Sequence, residues 1–465
     1  MVCLLSLLFA AAGDDLPSQL KRFMEVFAAV EREAAERPEP GKAIYEGAIP
    51  GMLRQLDPHS VFFDPGQFEQ LKELERSTRK GFGTVVSVLP GRVVVLQAAP
   101  GTPSARAGIA PGDEILALNG IPLDRLEMEQ LVALLGQSRQ QEARLDVRRL
   151  GATGLLQFTL TPEELQSPSV ARAFLLRPGA GYLRVESFDT QTGAQIKEAI
   201  EKLGGNTLKG LVLDLRNNPG GMLPAALETA SLFLKPGQTL LSVRGRAVQA
   251  REEKTPEAGG HYRFPLAVLM NGKSASASEI VAGALQDHRR ALILGEPSFG
   301  KGLVESVYPL SNNTGLALTT AYYHTPSGRS IQRPLPGSSL ERAVAPGSAG
   351  GIQPDRVVYL EPLTPLRTVL EASGAFTSFA TEYTRRHPIT AEFEVTPDLL
   401  DELQGYLAQR KIQPGVAEWT RERAWITNRL KAEIFNQSLG VEKGDEIEAQ
   451  RDPVILAALR ELGLR

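Results

Sequence analysis

The sequence predicts a multidomain α/β protein, and three observations carry that prediction. The chain has 465 residues, room for roughly three domains at about 150 residues each. Its middle alternates short, apolar strand-like runs with helical stretches, the pattern of βαβ crossovers in a layered sheet. Both flanks carry apolar residues at three- and four-residue steps, so helical regions bracket the middle. Hydrophobic residues make up 42% and charged residues 23%, which excludes a disordered chain, a collagen and a polytopic membrane protein.

Taken in order, residues 1–13, MVCLLSLLFAAAG, form an apolar run ending in small residues. It is shorter than the about 20 residues of a spanning helix. It reads as a secretory signal peptide with an Ala-rich cleavage site, although the usual basic start is missing; a helix packed on the core is the competing reading. Leu16, Leu20, Phe23, Phe27 and Val30 lie on one face of an amphipathic helix. A second helix begins with Asp64 as N-cap and Pro65 in its first turn and ends before Gly81, so 14–80 reads as a helical N-terminal region. From Gly81 the period changes: Thr84–Val88 and Arg92–Leu96 flank Leu89-Pro90-Gly91 as a hairpin. A helix across Leu126–Leu135 and a strand over Ala143–Arg149 complete a compact module at 81–160, and 161–169 reads as a linker.

The segment 170–360 holds predicted strands at Leu211–Leu215, Leu266–Met270 and Ala291–Leu294, and helices at Met222–Leu234 and Ser276–Gln286. The Pro-, Gly- and Ser-rich stretch 335–351 reads as a surface loop. Helix signals return over 361–465: Thr396 caps a helix carrying Leu399, Leu400, Leu403 and Leu407, and Ile426, Leu430 and Ile434 lie on another. Leu456, Leu459 and Leu462 close the chain.

Several function classes fall away. Lys+Arg number 51 and Asp+Glu 54, a net charge of -3, so no basic surplus exists to hold a nucleic-acid backbone. Cys3 is the sole cysteine, which excludes an internal disulfide, a CxxC pair and a cysteine zinc site. The five histidines, at 59, 261, 288, 324 and 387, lack HExxH-like spacing, and no zinc hydrolase is expected.

Three stretches remain that carry chemistry. In NGKSASASEIVAGALQD (271–287) serines stand where a strand turns into a helix, and helix N-terminal N–H groups can stabilise negative charge there. Serines at such a place are also ordinary N-caps. FGKGLVE (299–305) holds a lysine between glycines; a lysine kept neutral by desolvation can take a serine proton without any histidine. LVLDLRNNPGGML (211–223) ends a buried strand in a Gly-Gly turn whose N–H groups suit an oxyanion, or simply form a βα corner.

Together these stretches resemble the C-terminal processing peptidases (tail-specific proteases), Ser-Lys serine endopeptidases with a PDZ domain. The resemblance runs over about residues 40–360, through EGAIPGMLRQLDPHS, GTPSARAGIAPGDEILALNG, GYLRVESF, LDLRNNPGG, SASASEI, FGKG and GIQPD. It implies a crotonase/Clp-like α/β protease core at 170–360, a PDZ-like β-rich domain at 81–160 and helical N- and C-terminal regions. By position it makes Ser276 the nucleophile, Lys301 the general base, and Ser274 and Ser278 structural. Gly220 and Ala277 correspond to the family's backbone oxyanion donors. Asp287 matches an acidic position of the family, with a helix-end hydrogen bond as the competing role. Glu305 stands where the family usually has a glutamine that orients the lysine, and an ionised Glu305 beside Lys301 would favour the ammonium form. Gly81, Phe82, Gly83 and Thr84 resemble the loop that captures a peptide's terminal carboxylate, with Phe82 and Val85 able to line the site or the core. In relatives an arginine often precedes the glycine after the PDZ helix; here that pair reads Leu135-Gly136.

The resemblance further implies polypeptide substrates with free C-terminal tails, no metal or organic cofactor, no nucleic acid, a homodimer, an activating adaptor as an open question, and an exported, periplasmic or cell-envelope location. Two other readings stay open: a PDZ peptide-binding scaffold silenced by Glu305, and an acyl hydrolase for a small ester or amide. The PDZ-like module argues against the second.

Overall fold

The computed structural model describes residues 15–74, 78–89, 91–166, 168–334, 350–359 and 362–464. The apolar segment 1–13 and the loop expected at 335–351, except for its last two residues, lie outside them. The chain clusters into two compact units, one holding the described residues up to Phe68 with Glu305–Thr319, the other holding the rest.

In the first unit the helix Leu16–Glu33 begins at Asp15, whose carboxylate accepts the Ser18 N–H at 3.1 Å, with Pro17 in the first turn. It buries no residue, and Leu16, Leu20 and Phe23 are exposed. After the helix Ile49–Leu56 comes a strand, Val61–Phe63, paired antiparallel with Gly315–Ala317. The N-terminal region is helical as expected, with this one short strand set among its helices. The helix from Pro65 is described as far as Leu74, and in the second unit Thr78–Gly81 is a strand paired with Glu163–Gln166, where a linker was expected. These strands are three or four residues long, too short for periodicity to register, and each exists only because a remote partner supplies its hydrogen bonds.

In the second unit, the module at 81–160 is a sheet in the order Thr84–Leu89, Arg92–Ala98, Glu114–Leu118, Ala143–Arg148, Leu156–Leu160, with Ile121–Pro122 added to Glu114–Leu118. Ala143, Leu145 and Val147 alternate inward along their strand, as period two requires, and join Val93, Val95, Ile115 and Leu118 under the helix Met128–Ser138.

The core sheet runs Val170–Arg177, Ala180–Val185, Gly210–Asp214, Leu266–Met270, Leu292–Gly295, Arg356–Val357. The first pair is antiparallel and the rest parallel. Its central strands are buried on both faces, which is why they read as unbroken apolar runs. Leu211, Leu213 and Val268 point to the side of the helices Thr192–Leu203, Leu223–Ser231 and Ala277–Asp287. Val212, Ala267 and Leu269 point to the other side, which the last helix, Pro453–Glu461, closes with Val454, Ile455, Ala458 and Leu459. Each of its larger side chains contributes about 1.5–3 kcal/mol by leaving water.

The helices Pro365–Ala372, Ala375–Thr384, Pro397–Gln409, Val416–Ser438 and Val441–Ala449 build a separate core around Phe376, Phe379, Leu403, Leu430 and Phe435. Thr396 caps its helix as expected, accepting the Leu399 N–H. This region abuts the 81–160 module: the Val441 N–H donates to Gln97 Oε1 at 3.1 Å. Two glycines with positive φ close the seam, Gly112 against Thr381 and Gly374 against Leu89. Among the described residues no helix is long and apolar enough to cross a membrane.

Candidate active site

Parallel strands deliver their loops to one end of the sheet, where open α/β folds place their sites. The buried strand Leu266–Met270 ends in the turn 271–275, and the helix Ala277–Asp287 starts immediately after Ser276. Ser276 is half-buried, with φ 53° and ψ -113°. A non-glycine residue held there costs about 1–3 kcal/mol and persists only if its surroundings over-determine it.

Those surroundings are hydrogen bonds to the neighbouring turn. Ser274 Oγ donates to Leu215 O at 2.8 Å and accepts the Asn271 N–H at 3.0 Å. The Ala275 N–H and Ser278 Oγ both donate to Asn218 O, at 3.0 and 3.1 Å. Ser274 and Ser278 are fully buried and tie the two turns together.

That neighbouring turn is Asn217-Asn218-Pro219-Gly220-Gly221. Asn218 is buried and bonded at both ends of its amide: its Nδ2 donates to Val185 O at 2.9 Å and its Oδ1 accepts the Gly220 N–H at 2.8 Å. A Cβ on Gly220 would lie 2.8 Å from Ser276 Cβ and 2.9 Å from Ala277 N, so the glycine sits directly against the serine. The Gly220 N–H, expected as an oxyanion donor, is thus engaged by Asn218. Ala277 N–H opens its helix, where no intrahelical acceptor exists.

The carboxylate of Glu279 joins Ser276 to the lysine loop. Its Oε2 accepts the Ser276 N–H at 2.7 Å and the Lys301 N–H at 2.9 Å; its Oε1 accepts Ser298 Oγ at 2.5 Å and the Gly300 N–H at 2.7 Å. Glu279 is fully buried, and burial pushes its carboxyl up while the four donors offset this only in part. The next amide, Gly302 N–H, donates to the buried Gln332 Oε1 at 2.9 Å. Lys301 is half-buried between the two glycines. Sequence reasoning passed over Glu279. Its signal was the Ser-x-x-Glu spacing from Ser276, the signature of a capping box.

Beneath the turn, Asp214 accepts Tyr182 OH at 2.8 Å and Arg216 through both oxygens, and Arg216 reaches on to Asp452 at 2.8 Å. Burial, then the Asp214 charge, pushes the Tyr182 hydroxyl far up, so it stays a donor.

Of the other two residues of the expected catalytic set, Asp287 lies apart from this cluster. Asp287 is at the far end of the helix that Ser276 opens, about 15 Å along its axis at 1.5 Å per residue. It accepts the Ser327 N–H at 2.8 Å and pairs with Arg329, the helix-end role that competed with catalysis. Glu305 is half-buried on the strand Leu303–Pro309.

In the 81–160 module, Gly81 ends the short strand paired with Glu163, and Thr84 begins the edge strand of the sheet. Between them the Phe82 and Gly83 carbonyls accept the Ser104 and Ala99 N–H groups at 3.0 and 2.8 Å. Gly83, at φ +77°, has Thr102 2.3 Å from where a Cβ would be. Phe82 packs on the module's core, and Val85 is exposed. Among the described residues no group of three or more His, Cys, Asp or Glu converges as a metal site.

Comparison with known proteins follows this geometry. The model for peptidase family S41 matches residues 179–358, and that for the PDZ domain matches 94–149. A carboxy-terminal-processing protease of Bartonella bacilliformis is 37% identical over 321 residues, 68% of this chain and 73% of the relative. A carboxyl-terminal-processing protease of Synechocystis sp. is 34% identical over 310 residues, 65% of this chain and 71% of the relative. Among solved structures, a photosystem II D1 C-terminal processing protease aligns with 78% of this chain and 97% of its own, at 27% identity and a TM-score of 0.41.

Proposed function

Since the chain belongs to the carboxy-terminal processing proteases of peptidase family S41, we propose that it cleaves polypeptides near their C-terminal tails with Ser276 as nucleophile and Lys301 as base. The observation that carries this reading is the single Glu279 oxygen to which the Ser276 and Lys301 amides both donate.

Neutral Lys301 takes the Ser276 proton as the serine oxygen attacks the peptide carbonyl. The resulting oxyanion rests on the Ala277 N–H and on the Gly220–Gly221 turn. The C–N bond breaks, the lysine proton passes to the leaving amine, and an acyl-serine remains. Water, deprotonated by the same lysine, attacks the ester and releases the acid with Ser276 restored. For Gly220 to take part, its N–H must leave Asn218 Oδ1; one oxyanion donor is typically worth about 100- to 1,000-fold in rate. A substrate tail adds as a strand along the edge strand Thr84–Leu89, with its terminal carboxylate at 81–84.

The reading includes export, supported by the apolar run 1–13, and a homodimer, supported by the exposed apolar face of Leu16–Glu33. The Gly220–Asn218 bond favours one second reading, a peptide-binding scaffold of low hydrolytic activity. The test incubates an unfolded protein with wild type, Ser276→Ala and Lys301→Ala from about pH 6 to 10. Cleavage by wild type alone is the expected outcome. Tail binding without cleavage in all three would install the scaffold instead.

A further inference from the structure

Every residue of the loop 298–302 except one is turned to the interior or held by a buried side chain. Ser298 is buried, donates Oγ to Glu279 and accepts the Ile352 N–H at 2.7 Å. Gly300 is buried at φ +92°, with its N–H on Glu279, and a Cβ there would meet Arg333 at 2.8 Å. Lys301 and Gly302 give their N–H groups to Glu279 and Gln332. The exception is Phe299. Its backbone is as firmly held as its neighbours', the N–H donating to Ser274 O at 2.9 Å, two residues before the nucleophile. The residue is nonetheless 47% exposed.

An aromatic ring gains most by leaving water, and a ring on an already rigid backbone loses little further freedom when something covers it. The Phe299 backbone lies between Ser274, to whose carbonyl its N–H donates, and Lys301, two positions on, which sets this exposed residue next to the proposed reacting centre. We propose that Phe299 is a specificity-determining residue of the hydrolase, its ring receiving an apolar side chain of the extended polypeptide beside the scissile bond. The inference rests on the Ser276–Lys301 reading. It adds a substrate class to that reading: chains with a Leu-like or aromatic residue near the cut rather than a polar one.

Two peptides differing only in one residue beside the cut, Leu or Ser, are compared on wild type, Phe299→Ala and Phe299→Tyr. Both carry amidated C-termini, so that capture of a terminal carboxylate cannot contribute. Phe299→Ala is expected to raise KM for the Leu peptide about 10-fold with kcat within about threefold, and to leave the Ser peptide nearly unchanged; Phe299→Tyr restores the preference. Equal effects on both peptides, or none, overturn the proposal. A binding arm in the Ser276→Ala background reads the labelled Leu peptide by anisotropy, with equal melting temperatures confirming the fold. If wild type cleaves neither amidated peptide, the unfolded protein with its free C-terminus decides the hydrolase reading, and the binding arm decides this one: weaker binding on Phe299→Ala supports the contact and unchanged binding overturns it.

Discussion

Ser276 and Lys301, 25 positions apart in the sequence, donate their backbone N–H groups to one atom, Glu279 Oε2, at 2.7 and 2.9 Å. Their amide nitrogens are therefore no farther apart than those two bonds laid end to end. One carboxylate thus fixes the strained serine and the start of the lysine segment, and neither can drift without breaking a charge-assisted bond.

Removing that acceptor should disable the site before it unfolds the protein. Glu279→Gln leaves an amide NH2 facing N–H donors, and each donor left unpaired to a charged partner is worth about 1.5–3 kcal/mol. We expect a loss of at least about 100-fold in kcat, from a misplaced serine, and a lowered denaturation midpoint. The pH dependence has a definite sign. Burial raises the Glu279 carboxyl above its ordinary 4.5, so the unfolded chain gives up this proton more readily than the folded one. The group's stability is complete below pH 4.5 and is lost as pH rises through the raised value. Urea melts stepped upward from pH 4.5 should show that decline in wild type and not in Glu279→Gln.

Gly220→Ala should abolish turnover in a protein that still folds. A methyl group there falls 2.8 Å from both Ala275 O and Ser276 Cβ, at a φ of +102° that L residues resist. The clash is with the turn that bears Ser276, so on the proposed reading kcat should fall by more than about 100-fold. Retained activity would place the reacting serine elsewhere.

Glu305→Gln removes the negative charge four residues after Lys301, and the expected outcome is hydrolysis that sets in at a lower pH. Superimposable pH–rate profiles for the two proteins would dismiss the effect.

What could be read from the chain follows from how far each feature depends on remote partners. Leu211–Leu215 and Leu266–Met270 are legible because both faces of a parallel strand are buried, leaving continuous apolar runs, and the capped helix after Thr396 announces itself locally. Val61–Phe63 and Thr78–Gly81 are not, since their pairing is supplied by residues about 250 and 85 positions away. At the site, Ser276 and Lys301 stand out through their glycine- and serine-rich settings. Glu279 hides because an acidic side chain early in a helix ordinarily faces water, favouring the dipole; only the fold reveals that four donors surround it. The closure of Gly220 onto Asn218 is an Asx-turn, which Asn218-Pro219-Gly220 favours locally; the sequence reading took the turn's N–H groups as free for an oxyanion instead.

Asp287 carries stability of the opposite pH sign. Burial alone would raise its carboxyl, but hydrogen bonds from Thr325, Ser327 and Arg329 outweigh it and hold the group below its ordinary 3.8. Its contribution is present above pH 3.8 and lost as pH falls through the lowered value. Asp287→Asn should cost about 1–2 kcal/mol at neutral pH, discounted because Arg329 is partly exposed. In chemical denaturation the wild-type and variant curves should converge under acid conditions.

The seam between the 81–160 module and the C-terminal helices can be probed with one glycine. Gly112 has φ +83°, and a Cβ there would sit 2.6 Å from Thr381 Cγ2 but 3.4 Å from Thr381 Oγ1. Gly112→Ala therefore incurs two penalties: the left-handed backbone, about 1–2 kcal/mol, and a methyl–methyl clash across the seam. Gly101, at φ +76° with nothing within 4 Å of its Cβ position, isolates the first penalty when it is changed to alanine. Thr381→Ser isolates the second. It deletes Cγ2 and keeps the hydroxyl, whose one proton has Thr377 O at 2.8 Å and Gln437 Oε1 at 2.9 Å as acceptors. Gly112→Ala should destabilise more than Gly101→Ala, and Thr381→Ser should recover the difference in the double variant but not the shared backbone cost. A double-mutant cycle with no coupling between 112 and 381 would mean that the module does not rest on those helices in solution.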